Sequence, residues 1–408
     1  MGVEPLLAAV RSRDAEAVHA LLDAGADPEV TDEHGTPILC LAVETFAVEV
    51  IEALVISARL DRVAPDGRTA LLRAVDRGDR DIVEMLIARG AVMWHTDPDG
   101  RDALALARYW HETGAKEVLR RRTGQPAPAA CRTVTSGEGT TWEELSTGAL
   151  TVRTGHSAIL TALEPRYGIT APFGELLARA TTEPDVDHGV WWATTHELQH
   201  RHDPAIWEAA ASLRTRTDPL ERYFGAEVLR LTHLFDDSPE DPYDGPMTSL
   251  FLPWAAKEPD PRVVRALTAG LAEVHDPRAE QRLPALTRHP DARVRQWAVG
   301  GLHRVVTAGD PDALAAVVEC TADAEAAVRR VACTVLGAAP PHAAAAFDVL
   351  AARLTDADEG VRVEAAARLA LRDDPRGDDL LEALAAPDEA SPYYGLLYDV
   401  HRHRLPGR

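Results

Sequence analysis

Three glycines, Gly35, Gly67 and Gly100, stand 32 and 33 residues apart, and each opens a matching run: GTPILCLAV, GRTALLRAV and GRDALALAR. The start of the chain, EPLLAAV, is the same run without its first turn. Each run is followed by a second apolar helical stretch: AVHALLDAGAD, VIEALVISARLD, IVEMLIARGAV and finally KEVLRRR. A unit of two short helices cannot bury its own apolar face. Its neighbours must stack on it, so a period of this length constrains the chain to a solenoid.

The spacing and the T-P-L-H-x-A signature, surviving as Thr36, Pro37, Ile38, Leu39 and again as Thr69, Ala70, Leu71, Leu72, resemble the ankyrin repeat. Thr is expected to cap the first helix and Pro37 suits a first helical position. Gly25 and Gly90 are placed to end second helices in a left-handed conformation. About four repeats are expected over residues 1–122, the last degrading through Trp110 into RRR as a terminal cap does. The resemblance implies a protein-binding surface.

A second period follows. HPDARVRQWAVGGL (289–302), DAEAAVRRVACTVL (323–336) and DADEGVRVEAAARL (356–369) share a core whose valines, Val294, Val328 and Val361, are 34 and 33 apart. DPRVVRALTAGL (260–271) is a looser copy. This D-x-x-V-R heart resembles the HEAT repeat family. The Asp can cap a helix start, and the valines should face the neighbouring helix. Arg295, Arg329 and Arg362 are expected to bond Asp residues or carbonyls of the adjacent unit. The array is expected to span 155–408, divergent helices at 155–254 included. The acidic stretch FDDSPEDPYDG (235–245) lacks the EF-hand ligand order and reads as a solvated loop. Between the arrays, residues 123–154 break helical periodicity and read as a linker or irregular junction, with CRTV and LTVR as two short strands. SGEGT, with no following Gly-Lys-Ser/Thr, is no phosphate loop.

The fold class expected is therefore all-α, an ankyrin-like solenoid followed by a HEAT-like one. The formal charge of −22, split as −7 over 1–122 and −15 beyond, excludes a basic module. It argues against nucleic acid, including a HEAT-type repair role, and against anionic lipid. No apolar run reaches a bilayer's thickness. The start MGVEPLLAAVRSRD lacks a signal-peptide core, and Cys40, Cys131, Cys320 and Cys333 form no CxxC pair, so a reduced, cytoplasmic setting is expected. Only Lys116 and Lys257 are lysines, which with abundant Ala suggests a GC-rich bacterial genome.

One segment carries two readings. Residues 196–200, HELQH, match the H-E-x-x-H pattern of zinc hydrolases. His196 and His200 would ligate the metal, and Glu197 would polarise its bound water. Asp187, His188, His202 and Asp203 lie nearby. Yet RHDPAI follows, without the Gly and third His of the metzincins; nothing in context selects Glu221 or Glu227 as third ligand; and the flanks read as helical where zincins have a sheet. On a helix, Trp191, Thr194, Thr195 and Leu198 share one stripe, and Trp192, His196 and His200 another, nearly opposite. If the Leu198 stripe is core, Trp192, His196 and His200 face a groove and suit recognition of a peptide or aromatic ligand. The expectation is a non-catalytic scaffold or adaptor with a protein or peptide partner, no cofactor, and Trp192, His196 and His200 as its binding residues. The competing class is a zinc hydrolase with Glu197 catalytic and zinc on His196 and His200.

Overall fold

Four helices of the first series begin where a side chain can take the free N–H groups of a first turn. Asp14, Thr69, Asp79 and Asp102 accept from the amides of Ala17, Leu72, Ile82 and Ala105 at 2.9, 3.3, 3.1 and 2.8 Å. The computed structural model describes residues 4–405 except 127, 129, 137, 138, 149, 202, 239, 240 and 385–390. Four helix pairs follow one another: Glu4–Ser12 with Ala15–Asp23, Ile38–Val43 with Val48–Val55, Ala70–Arg77 with Arg80–Ala88, and Ala103–Thr113 with Ala115–Thr123. Gly35, Gly67 and Gly100 have φ of +80°, +78° and +80°, the left-handed region that explains their period. Gly25 and Gly90 are left-handed too. Thr36 does not cap its helix: Pro37 occupies the cap position, and the Asp32 carboxylate instead accepts from the amides of His34 and Thr36 at 3.0 and 2.8 Å.

The chain divides into two compact units, Met1–Arg201 and His202–Arg408. The stretch 123–154, expected as a linker, instead contributes a three-stranded antiparallel sheet to the first unit: β1 Ala130–Thr135, β2 Thr141–Thr147 and β3 Leu150–Arg153, in that spatial order. CRTV and LTVR fall in β1 and β3. The strand between them was hidden because Trp142 and Leu145 lie on opposite faces and are both buried. β2 thus lacks the alternation of a half-exposed strand.

Close backbone approach ties this sheet to the helical repeats. The Gly155 amide donates to the Gly78 carbonyl at 3.2 Å, and a Cβ on Gly78 would stand 2.9 Å from His156 Nδ1. Arg153 donates to Asp79 at 2.6 Å. The carboxylate of Asp76, 4% exposed, accepts from both terminal nitrogens of Arg122 at 2.7 Å, from Arg68 at 3.1 Å and from Trp110 Nε1 at 3.0 Å. Trp110 is therefore buried, 1% exposed. The His156 ring stacks on it at 4.3 Å, and the helix His156–Leu163 packs on Ala103–Thr113. These contacts hold residues 155–201, expected in the HEAT-like array, inside the first unit.

The second unit is a row of helix pairs whose second members, Pro219–Leu234, Pro261–Glu273, Ala292–Gly301, Ala326–Leu336 and Glu359–Ala370, pack each on the next. Val294, Val328 and Val361 are wholly buried. The arginine ladder is formed. Arg295 grips Asp323 through two bonds of 2.7 and 2.8 Å and the carbonyls of His289 and Pro290 at 2.9 Å. Arg329 repeats this with Asp356, at 2.9 and 2.7 Å, and the carbonyls of Asp323 and Ala324. Arg362 donates to the carbonyls of Asp356 and Ala357. Arg222 belongs to the same series: it grips Glu258 at 2.9 and 2.7 Å and donates to the carbonyls of Arg216 and Thr217. At the end of the acidic stretch Asp244 opens a helix and accepts from His233 Nε2 at 2.7 Å and the His275 amide at 3.0 Å.

Candidate functional site: a groove beneath the HELQH helix

The helix Gly189–Gln199 is anchored at its start by His188. His188 Nδ1 accepts from the Val190 amide at 3.3 Å, so its Nε2 carries the proton and donates to Thr154 Oγ1 at 2.9 Å. Burial pushes the His188 pKa down to about 4 and keeps the ring neutral. The Thr141 amide donates to the Asp187 carbonyl at 2.9 Å, joining β2 to the approach of this helix. The Trp142 indole lies directly against Gly189, where a Cβ would also meet Thr140 Cγ2 at 2.8 Å. Along the helix, Thr194 and Thr195 turn their hydroxyls back to the carbonyls of Val190 and Trp191, both at 2.8 Å. Trp191 Nε1 donates to the Glu183 carbonyl at 3.1 Å, and Leu198 is 1% exposed. The Leu198 stripe is core.

The opposite stripe opens on a groove of about 1280 Å³, lined by Trp192, His196, Glu197 and His200. Across it stand Glu49 and Glu52 of one repeat and Arg80, Asp81 and Glu84 of the next, with Val134, Thr135 and Ser136 at the end of β1 closing one side. Trp192 is 38% exposed. The His196 ring stacks on it at 4.6 Å and 18°, and the His200 ring meets His196 edge-on at 4.1 Å. His200 Nδ1 donates to the His196 carbonyl at 3.0 Å. Burial, followed by the neighbouring His200 and Arg80 charges, lowers the His196 pKa to about 4. At neutral pH Trp192 and His196 therefore offer a stacked, uncharged aromatic pair.

The same geometry bears on zinc. Glu197 Oε1 accepts from Arg201 Nε and Nη2 at 3.0 and 2.9 Å, and Arg201 is held in turn by the Ala171 carbonyl at 2.7 Å. A general base for bound water needs that carboxylate turned to the metal. Among the described residues, no third potential ligand gathers with His196 and His200; the one group of three is Asp241, Asp244 and His275, in the second unit. His188 and Asp203 are used as helix caps. Glu221 and Glu227 pair with Arg216 and Arg230, and His202 lies outside the described residues. The flanks are not wholly helical, however, since a sheet does precede this helix and touches its first turn.

Arg80, Glu49, Glu52 and Trp142 are site residues that sequence reasoning missed. They sit on segments read as ordinary repeat helices or as linker, and no local motif marks them.

Comparison with known proteins sets the two arrays in their families. Residues 6–97 match the family model for ankyrin repeats in three copies, and residues 248–337 match that for HEAT repeats. The chain joins ankyrin repeats to HEAT repeats. An ankyrin repeat-containing protein of Treponema pallidum is 32% identical over 106 residues, 26% of this chain and 36% of its own length. The palmitoyltransferase AKR1 of Lachancea kluyveri is 37% identical over 105 residues, 24% of this chain and 14% of its own length. The chain thus spans little more than a third of the one relative and a seventh of the other. The X-ray structure of YibA from Escherichia coli superposes with a TM-score of 0.43 at 14% identity, over 57% of this chain and 81% of that one. Among the described residues no helix is long and apolar enough to cross a membrane. The groove lies against the second helices of ankyrin repeats, opposite the HELQH helix.

Proposed function

We propose that this ankyrin–HEAT protein is a non-catalytic interaction scaffold that holds a partner peptide in the groove at Trp192, His196 and His200. One observation carries the reading: the helix presents a stacked, partly exposed Trp192 and His196 to an open groove, while its only candidate catalytic carboxylate is held by Arg201. Aromatic side chains presented on a rigid frame are the anchors most enriched in binding hot spots. Ankyrin and HEAT repeats are interaction modules, which supports the scaffold role at the level of class. On this reading the protein needs no metal or cofactor. Its acidity disfavours a nucleic-acid partner, and a bacterial cytoplasm suits its four free cysteines.

Metal analysis with two variants tests this. Protein purified without chelator should carry no stoichiometric zinc, and Glu197→Gln should leave metal content and any hydrolytic background unchanged. About one equivalent of zinc, lost with His196→Ala, would replace the scaffold with a zinc hydrolase.

A further inference from the structure

The edge of the sheet and the charge of the groove together say what the groove takes. Among the described residues β1 pairs with β2 and no other strand, and five of its six residues are exposed. Such an edge is a template for another strand, and proteins usually blunt it with proline, lysine or a covering loop. β1 contains neither proline nor lysine in its span. Its one charge, Arg132, is turned onto Glu144 at 2.7 Å. The strand ends in the groove, where Val134 and Thr135 are part of the lining.

The groove beyond is acidic, lined by five carboxylates against three arginines. Glu49 and Glu52 are exposed and form no ion pair among the described residues, whereas Arg80 is bound to Glu84 at 3.1 and 2.8 Å. Trp192 offers an aromatic face, a surface that favours guanidinium or ammonium groups. The geometry points to an extended, basic segment of a partner protein that adds to β1 as a fourth strand and carries Arg or Lys side chains into the groove. Main-chain bonds to the edge would give affinity and the carboxylates would give specificity. A second copy of this chain fits less well, because it would bring another acidic groove to the same edge in a chain already at −22. This rests on the reading of the groove as a peptide site.

The test uses the full chain and three fluorescent peptides of about eight residues, the length of a long strand: an Arg-Val repeat, its Glu-Val counterpart, and an Arg-Val repeat with proline at alternate positions. Binding is read by anisotropy and β1 by amide hydrogen exchange. The Arg-Val peptide should bind at least about tenfold tighter than either control and slow exchange over residues 130–135 by a similar factor. Glu52→Lys and Trp192→Ala should each weaken it. Binding that needs Trp192 but leaves β1 exchange unchanged would overturn strand addition and keep the groove. Binding indifferent to Trp192→Ala would overturn the groove itself. Equal binding of the proline peptide, or no binding of the Arg-Val peptide, would overturn the proposed partner class. So would a free chain already protected at β1 and cross-linked through Cys131, the one exposed cysteine, because a second copy would then hold the edge.

Discussion

Gly189→Ala sets two effects of opposite sign against each other, and the structure decides between them. Gly189 is the first residue of the HELQH helix, and alanine is worth up to about 1 kcal/mol over glycine in a helix. The new methyl, however, would fall within the Trp142 indole and 2.8 Å from Thr140 Cγ2. Trp142 is 3% exposed and packed with Ala158 and Ala193, so displacing the ring sacrifices packing. Forcing a methyl into such a site costs about 1–3 kcal/mol. At position N1 the helix gain is at the low end of its range, so the clash wins and the net effect is a loss of about 1–2 kcal/mol. Trp142→Leu alone should cost about 3 kcal/mol by its cavity, yet it removes the atoms the methyl meets. The double variant should therefore be at least about 1 kcal/mol more stable than the sum of the singles. Urea unfolding of the four proteins, with hydrogen exchange over residues 189–199 as local readout, measures this. A Gly189→Ala protein as stable as its parent, or singles that simply add, would refute the contact that seats this helix.

Val328→Asp buries an unpaired carboxylate in the HEAT stack and should cost about 3 kcal/mol or more; a melt matching the parent would mean the repeat register is wrong. His156 and His188, both pushed to about 4 by burial, bind fewer protons folded than unfolded. Their stabilisation is complete above the unfolded value near 6.5 and is lost as pH falls towards 4. Each should cost at most about 2 kcal/mol between pH 7 and pH 5, so urea midpoints that stay level over that interval would contradict their burial. Limited proteolysis should leave residues 4–201 as a protected fragment; a first cut near residue 125 that releases a stable ankyrin array would show the sheet to be a mere linker.

The repeats were legible because their chemistry is local and periodic. The left-handed Gly35, Gly67 and Gly100 recur with their helices, and each D-x-x-V-R cassette contains the arginine of its own ladder rung. Arg222 follows the same logic, four residues after the helix cap Asp218, and was missed only because Leu220 and Glu221 replace the small and valine positions around it. The boundary between the units was not legible. It is set by pairs far apart in sequence, Gly78 with Gly155 and Asp79 with Arg153, and neither glycine carries a motif. The inner stripe of the HELQH helix could be read from spacing alone, but the wall it faces could not. Glu49, Glu52 and Arg80 look like solvated helix charges until the sheet turns residues 189–199 back over them.

If Trp192 and His196 anchor a partner rather than stand by a metal, the affinity of the parent, Trp192→Ala and His196→Ala chains for peptides selected from a displayed library against the parent, with folding checked by melting, should show it. Loss of a central aromatic anchor costs about 2 kcal/mol or more, roughly 30-fold in Kd. That loss is expected for Trp192→Ala, a smaller one for His196→Ala, and unchanged melting in both. Selected peptides that bind all three chains equally would contradict it.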